Sequence, residues 1–307
     1  MKVLDKIAQK GELTLGLVFP IESYPGSIPK MMDQERLARK AEELGFKALW
    51  FRDVPFHDPS FGDAGQMFDP WIYMTHIMNH TNNIALATGS IILPLRHPVH
   101  TAKSLASLQV LSKGRIILGI ASGDRPVEYP AFNQKLSEKS ELFRSSFEYI
   151  KALQRDFPTH HSPEYGTVNG SIDVLPKCDV STPMLVTGHS GQSLDWIAEN
   201  GDGWLYYPRN MAFLKDSMQR WQESLQRQKQ PWKPYMQSLY IDLIKDSGAP
   251  PTGIHLGFRS GVEHLLRYLK TIENIGVNHV ILNLKFSSLP VDHVLDMIGE
   301  YIIPEFS

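Results

Sequence analysis

The sequence predicts an α/β chain folded as a closed (β/α)8 TIM barrel, and three observations carry that expectation. Eight short β-rich runs follow one another, most of them separated from the next by a helical pattern. Several, such as IILGIA and HVILNL, are apolar throughout instead of alternating, as expected of parallel strands covered on both faces. The chain has 307 residues, an ordinary length for such a barrel, and no linker or low-complexity tract divides it, so one domain over 1–307 is expected. An open doubly wound sheet is the alternative arrangement of the same elements.

In order, the strand candidates are LTLGLVF (13–19), KALWF (47–51), NIALATGSIIL (83–93), RIILGIA (115–121), PMLVTG (183–188), GWLYY (203–207), QSLYIDLI (237–244) and HVILNL (279–284). Between the first two, DQERLARKAEELG places Leu37, Ala38, Ala41 and Leu44 at helical spacing and stops at Gly45, which completes a βαβ unit. DPWIYMTHIMNHT precedes the third run, TAKSLASLQVLS follows it, and Lys113-Gly114 turns the chain into the fourth. Residues 124–181 hold a helical stretch, SEKSELFRSSFEYIKAL, and a hairpin pattern, YGTVNGSIDVLP, read as an insertion between the fourth and fifth strands.

Composition narrows the function. Hydrophobic residues make up 42% and charged residues 21%, enough for a large core. Thirty-one basic against 33 acidic residues give a net charge of -2, with no basic surplus for nucleic acid or an anionic membrane. No apolar run reaches bilayer-spanning length, and the first twenty residues lack a secretory pattern, so a soluble cytoplasmic protein is expected. The single cysteine, Cys178, excludes an internal disulfide, and the 12 histidines fall in no compact ligand spacing, so no metal is expected.

The segment VTGHSGQSLDW (186–196) comes near the serine-hydrolase pattern G-x-S-x-G around Ser190, but Gln192 stands where the second small residue is needed. Placed between a barrel strand and the helical SLDWIAEN, the same residues offer hydroxyls of Ser190 and Ser193 and a helix N-terminus to a phosphate. Serines in such places also serve simply as helix caps. Gly89 within ATGSIIL suggests a bulge or a close ligand approach, and Thr88 and Ser90 flank it. Ser122-Gly123 ends the fourth strand, on the face where barrels place their active sites. The loop after the second strand, LWFRDVPFHDPSFGDAGQMFDPW, is rich in aromatics and suits a pocket wall. At its base Arg52 and Asp53 suit electrostatic roles or a structural ion pair. His160-His161 falls in a polar loop, where solvation is the simplest expectation.

The run PLRHPVHTAKSLASLQVLSKGRIILGIASGD, together with AEELGFKALWF, ENGDGWLYY, GFRSGVEHLL and IGVNHVILNL, resembles the bacterial luciferase-like flavin oxidoreductases over nearly the whole chain. The resemblance implies a commonly dimeric (β/α)8 barrel that binds FMN, or a deazaflavin coenzyme, at the strand C-termini. It implies a third-strand bulge with a non-proline cis peptide at Gly89, Ser90 and Ile91. It also implies a phosphate site where Ser190 and Ser193 supply hydroxyls, Gly191 and Gln192 backbone donors, and His189 the preceding residue. Ser122 falls where some members carry a phosphate-binding arginine, with Arg125 or Arg144 as candidates to offset it.

The histidine that light-emitting and several oxygenating members carry after the acidic residue is absent at Asp53-Val54, leaving His57 as a candidate to reach the pocket. Asp53, Arg52 and His57 are therefore the candidate catalytic groups, and Thr88, Gly89, Ser90, Ser122, Gly123, His189, Ser190, Gly191, Gln192 and Ser193 the candidate cofactor contacts. The implied activity is oxygenation of a small organic substrate with reduced FMN from a separate flavin reductase. Deazaflavin-dependent hydride transfer and non-catalytic flavin binding are its rivals, and a serine hydrolase lies outside them.

Overall fold

The computed structural model describes residues 3–306. Eight parallel strands close on themselves: β1 (Thr14–Val18), β2 (Ala48–Phe51), β3 (Ala85–Thr88), β4 (Ile116–Ala121), β5 (Met184–Thr187), β6 (Gly203–Tyr206), β7 (Tyr235–Leu243) and β8 (His279–Asn283). Each pairs with the next, and β8 pairs back onto β1 with Thr14 opposite His279. The helices that cover them are α1 (Gln34–Leu44), α2 (Pro70–Met78), α3 (Pro98–Leu111), α4 (Lys139–Leu153), α5 (Leu194–Asn200), α6 (Met211–Arg227), α7 (Val262–Ile275) and α8 (Val291–Tyr301). Closure decides for the barrel over the open sheet, and Gly45 ends α1 at φ 100° as its position predicts. No described helix is long and apolar enough to cross a membrane.

The third run breaks at the bulge that the resemblance implies, and two further segments depart from the sequence reading. The third run is interrupted: β3 ends at Thr88, Gly89–Ser90 is a cis peptide, and Ile91–Ile92 then pairs with Ile120–Ala121 of β4. The Thr88 hydroxyl donates to the Gly119 carbonyl (2.7 Å) at the point where the ladder breaks.

In the stretch read as an insertion, α4 is the crossover helix itself, because Phe143, Phe147 and Ile150 join the main core. The hairpin there is Thr159–Ser162 against Gly166–Asn169, with its turn at 163–165, so it begins ahead of the YGTVNGSIDVLP stretch. His160 and His161 are thus in a strand: His160 meets Tyr149 edge-on and the His161 Nδ1 lies 2.7 Å from the Thr167 hydroxyl. THHS carries no apolar alternation to mark it. A second hairpin, Thr252–Ile254 with Gly257–Ser260, extends β7 beyond the barrel rim. It needs glycine at 257, where a Cβ would stand 1.8 Å from the Tyr240 carbonyl oxygen.

The strands' two faces build two cores. Leu49, Phe51, Leu86, Ile116, Leu118 and Ile120 face the helices. Inside the barrel are small residues, Ala48, Ala85 and Ala87, around the fully buried Trp50, with Ile117, Leu185, Leu205, Met236 and Ile281. The size contrast is required: a Cβ at Gly16 would lie 2.9 Å from the Trp50 Nε1 and one at Gly119 1.9 Å from the Thr88 carbonyl oxygen.

Trp50 donates its indole N–H to His279 Nε2 (3.1 Å). That leaves the imidazole proton on Nδ1, which faces the Thr14 hydroxyl at 2.6 Å, and Thr14 in turn donates to the Ile7 carbonyl. Ile7 belongs to a short helix, Val3–Ile7, whose Val3 and Ile7 close the barrel interior from below.

Burial pushes the His279 imidazole from 6.5 down to about 3. The folded protein takes up this proton only in strong acid, whereas the unfolded chain takes it up below 6.5. The stabilisation is therefore complete above pH 6.5 and is lost as pH falls from 6.5 toward 3. Relative to His279→Gln, the wild type should lose roughly 1.4 kcal/mol per pH unit below 6.5, read from urea midpoints over a pH series. Parallel profiles for the two proteins would remove the imidazole as the source.

Candidate functional site

At the C-terminal ends of the strands lies a cavity of about 860 Å³. Its floor is apolar, with Trp50, Val18, Leu205 and Ile281 rising from the interior layer. Around the floor stand three groups of polar residues: the Gly89–Ser90 bulge, the ends of β4 and β5, and a cationic cluster from β2 and β8. This is the face on which barrel enzymes assemble their sites, with loops free to vary above a fixed scaffold.

The bulge is held from two sides. Ser90 and Thr187 share a hydroxyl–hydroxyl bond of 2.5 Å. Asp53, with a side chain only 3% exposed, accepts the Ile92 N–H (3.0 Å) and two bonds from Arg96, from Nε at 2.9 Å and Nη2 at 2.7 Å. All of Asp53's reach is spent on this bidentate pair and on the backbone just past the cis peptide. The structural ion pair is thus the arrangement found, with Arg96 as the partner that sequence reading did not single out.

The turn from β5 into α5 carries Gly188, Ser190 and Gly191 at φ 58°, 48° and 75°. The Ser190 Oγ donates to the Thr187 carbonyl (2.8 Å) and accepts the Ser122 N–H (3.2 Å), tying this turn to the end of β4. Among the described residues no histidine or carboxylate bonds that hydroxyl, so it has no base there to activate it, and the hydrolase alternative lacks its required geometry. Ser193 is the N-cap of α5, accepting the Trp196 N–H at 3.1 Å.

Gln192 turns outward: its amide donates to the Ser140 carbonyl (2.8 Å) and accepts from Arg144 Nε (2.9 Å). Gly191 presses on the same helix, since a Cβ there would lie 1.8 Å from the Ser140 Oγ. His189 packs edge-on against Trp204 and Tyr206.

Of the predicted site residues, Arg52, Asp53, Gly89, Ser90, Ser122, Gly123 and Ser190 line the cavity. Thr88, His189, Gly191, Gln192 and Ser193 lie behind that wall and brace it. His57 is not brought to the cavity: it is exposed on the loop after β2, with Nε2 2.9 Å from the Ser27 Oγ.

The cavity also gathers residues that sequence reading passed over. Lys285 follows β8 directly and donates to the Gly62 carbonyl (2.7 Å), and Tyr24 lies under its ammonium, 5.1 Å from Nζ to ring centre. Asp63 pairs with both Arg52 and Arg125, the latter at 3.5 Å. Lys285 had one available signal, its place at a barrel strand's C-terminal end.

Fold and site together define a barrel that presents a deep, aromatic-floored cavity beside a glycine-rich strand-to-helix turn. Residues 13–241 match the model of the luciferase-like monooxygenases, and the chain belongs to that family.

It is 29% identical over 193 residues to an F420-dependent hydroxymycolic acid dehydrogenase of Mycobacterium tuberculosis, over 58% of this chain and 49% of that one. With the alkanal monooxygenase alpha chain of Photorhabdus luminescens it shares 24% over 168 residues, 54% of this chain and 45% of the other. The chain thus spans about half the length of these two relatives.

Among solved structures, an F420-dependent secondary alcohol dehydrogenase with an F420-acetone adduct superposes with a TM-score of 0.79 at 17% identity, covering 96% of this chain and 99% of that one. The FMN complex of the oxygenating constituent of 3,6-diketocamphane monooxygenase from Pseudomonas putida gives 0.74 at 15%, covering 96% and 99%. These likenesses establish the shared fold.

If Asp53 anchors the bulge, Asp53→Ala should cost on the order of 2 kcal/mol of unfolding free energy, since it strands the Ile92 N–H and leaves Arg96 only its longer contact with Asp69 (3.4 Å). Urea denaturation measures this, and a loss below about 0.5 kcal/mol would show that the bulge does not depend on it.

Proposed function

We propose that this chain binds reduced FMN delivered by a separate flavin reductase and, with molecular oxygen, oxygenates a small organic substrate. One observation carries the reading: a single cavity joins the flat floor at Trp50 and the cis Gly89–Ser90 bulge to the turn at 188–191. Ser190 and Gly191 follow one another at positive φ, a backbone turn of the kind whose N–H groups can gather around a phosphate. Gly188 has nothing within 4 Å of where a Cβ would stand, and Arg125 lines the same cavity with a buried Nε that has no partner. These features fit a flat ring that ends in a phosphate.

Bound there, FMN supplies the redox chemistry and the activation of oxygen. The chain's own residues bind, orient and exclude water. The N–H groups of the turn at 189–191 and of Gly123 hold the phosphate together with Arg125, which replaces the charge that Ser122 lacks; the Gly188 and Ser122 N–H groups are spent on the Leu205 carbonyl and on Ser190 Oγ. Arg144 braces Gln192 from outside. Ser190 acts by fixing the turn to β4, and Ser193 by capping α5. Asp53 positions the bulge against which the ring would lie, and the aromatic-rich loop after β2 covers the mouth. A cytoplasmic homodimer completes the proposal.

The monooxygenase relative supports oxygen chemistry. A second reading, deazaflavin-dependent hydride transfer in the same cavity, is favoured by the dehydrogenase relative.

Equilibrium titration of the protein with FMN, riboflavin and a deazaflavin coenzyme tests this. FMN should bind roughly tenfold or more tightly than riboflavin, because only FMN carries the phosphate, and Arg125→Met should narrow that ratio. Equal binding of FMN and riboflavin contradicts the phosphate assignment, and saturable binding of the deazaflavin alone selects the second reading. Ser193→Ala should leave the ratio unchanged while costing about 1 kcal/mol in stability, as loss of a helix cap does; a collapsed ratio would put its hydroxyl on the phosphate instead.

A further inference from the structure

The cavity wall opposite the 188–191 turn holds donors that the flavin reading does not use. Arg52 leaves the end of β2 and is 14% exposed at its side chain; its Nη2 pairs with Asp63, while its Nη1 is buried without a partner. Tyr24 is 7% exposed, and its hydroxyl is likewise buried and unpartnered. Lys285 is 7% exposed, and its partners are the Gly62 carbonyl and the faces of Tyr24 and Phe286; among the described residues no carboxylate lies within ion-pair distance. All three line the same cavity, and the Tyr24 N–H donates to the Lys285 carbonyl (3.2 Å), which locks the two together.

A buried ammonium facing one carbonyl, beside a guanidinium nitrogen and a phenol with no partner in the chain, is a costly set of donors for the chain to leave unmatched by its own groups. Asp63 is the one carboxylate paired to Arg52, and it is shared with Arg125. Burial and the Arg52 charge both push the Lys285 ammonium below its ordinary range, as expected of a cation short of counter-charge.

We propose that the cavity takes an organic substrate bearing a carboxylate, whose two oxygens are received by Arg52 Nη1, Lys285 Nζ and the Tyr24 hydroxyl. Three donors from β2, β8 and the loop after β1 converge on one site, while the phosphate end of the flavin lies across the cavity at β4 and β5. The carboxylate orients the substrate, and its remainder extends over the apolar floor toward the bulge. This deepens the flavin reading above and rests on it.

The test titrates the FMN-loaded protein by calorimetry with acetate, phenylacetate and octanoate, each against its neutral amide. FMN and riboflavin affinities are measured on the same preparations. At least one acid should bind roughly tenfold more tightly than its amide, as a charge-assisted site requires. Lys285→Met should abolish that preference, Tyr24→Phe should reduce it several-fold, and neither should change the ratio of FMN to riboflavin affinity.

The inference is overturned if no acid is preferred over its amide, or if the preference survives Lys285→Met. It is also overturned if Lys285→Met removes the FMN preference over riboflavin, which would give these cations to the flavin phosphate. Failure of the wild type to bind any flavin overturns the underlying reading instead, and is seen separately in the flavin titrations.

Discussion

The site depends on one side chain inside the barrel. Trp50 fills the interior where its neighbours are alanine and glycine, and the bond from its indole to His279 fixes the height and tilt of the ring. Everything above is set by that floor. Gly89 lies close over that ring, since a Cβ there would stand 3.2 Å from the indole and press on it, and the cavity lies above Trp50 where the interior layers stop. A neutral, fully buried histidine is tolerable because both ring nitrogens are engaged, one accepting from Trp50 and the other facing Thr14.

Above the floor, the polar residues divide into those that hold the wall and those that face the open space. Asp53, Gln192 and Ser193 each look like chemistry in the sequence, and each is occupied in bracing: an ion pair to Arg96, an amide clasp to α4, a helix cap. Ser190 belongs with them, since its hydroxyl joins two strand ends. Among the described residues that line the cavity, those left with unmatched buried donors are Arg52, Arg125 and Tyr24. The proposed recognition therefore rests on residues whose bonding is incomplete within the chain.

Much of the fold was legible from the sequence. All eight barrel strands lie where apolar β-rich runs stand, because strands buried on both faces leave an uninterrupted apolar signature. The hairpins at 159–169 and 252–260 were not legible in that form, since THHS and TGI have no apolar face to alternate. The turn at 188–191 and the bulge at Gly89 were found through glycine placement and family resemblance. Lys285, Tyr24 and Asp63 were missed because they converge from β8, the loop after β1 and the loop after β2, far apart in sequence. Spacing along one chain carries no trace of such a meeting. The misplacement of His57 has the same cause: nearness in sequence to Asp53 did not become nearness in space.

A crystal structure of the protein grown with FMN tests the central claim most directly. In that crystal the flavin ring should lie over Trp50 against Gly89–Ser90, with its phosphate at Gly188–Gly191 and Arg125 and open space left beside Arg52 and Lys285. A flavin found with its phosphate at Arg52 and Lys285, or bound outside this cavity, would contradict it.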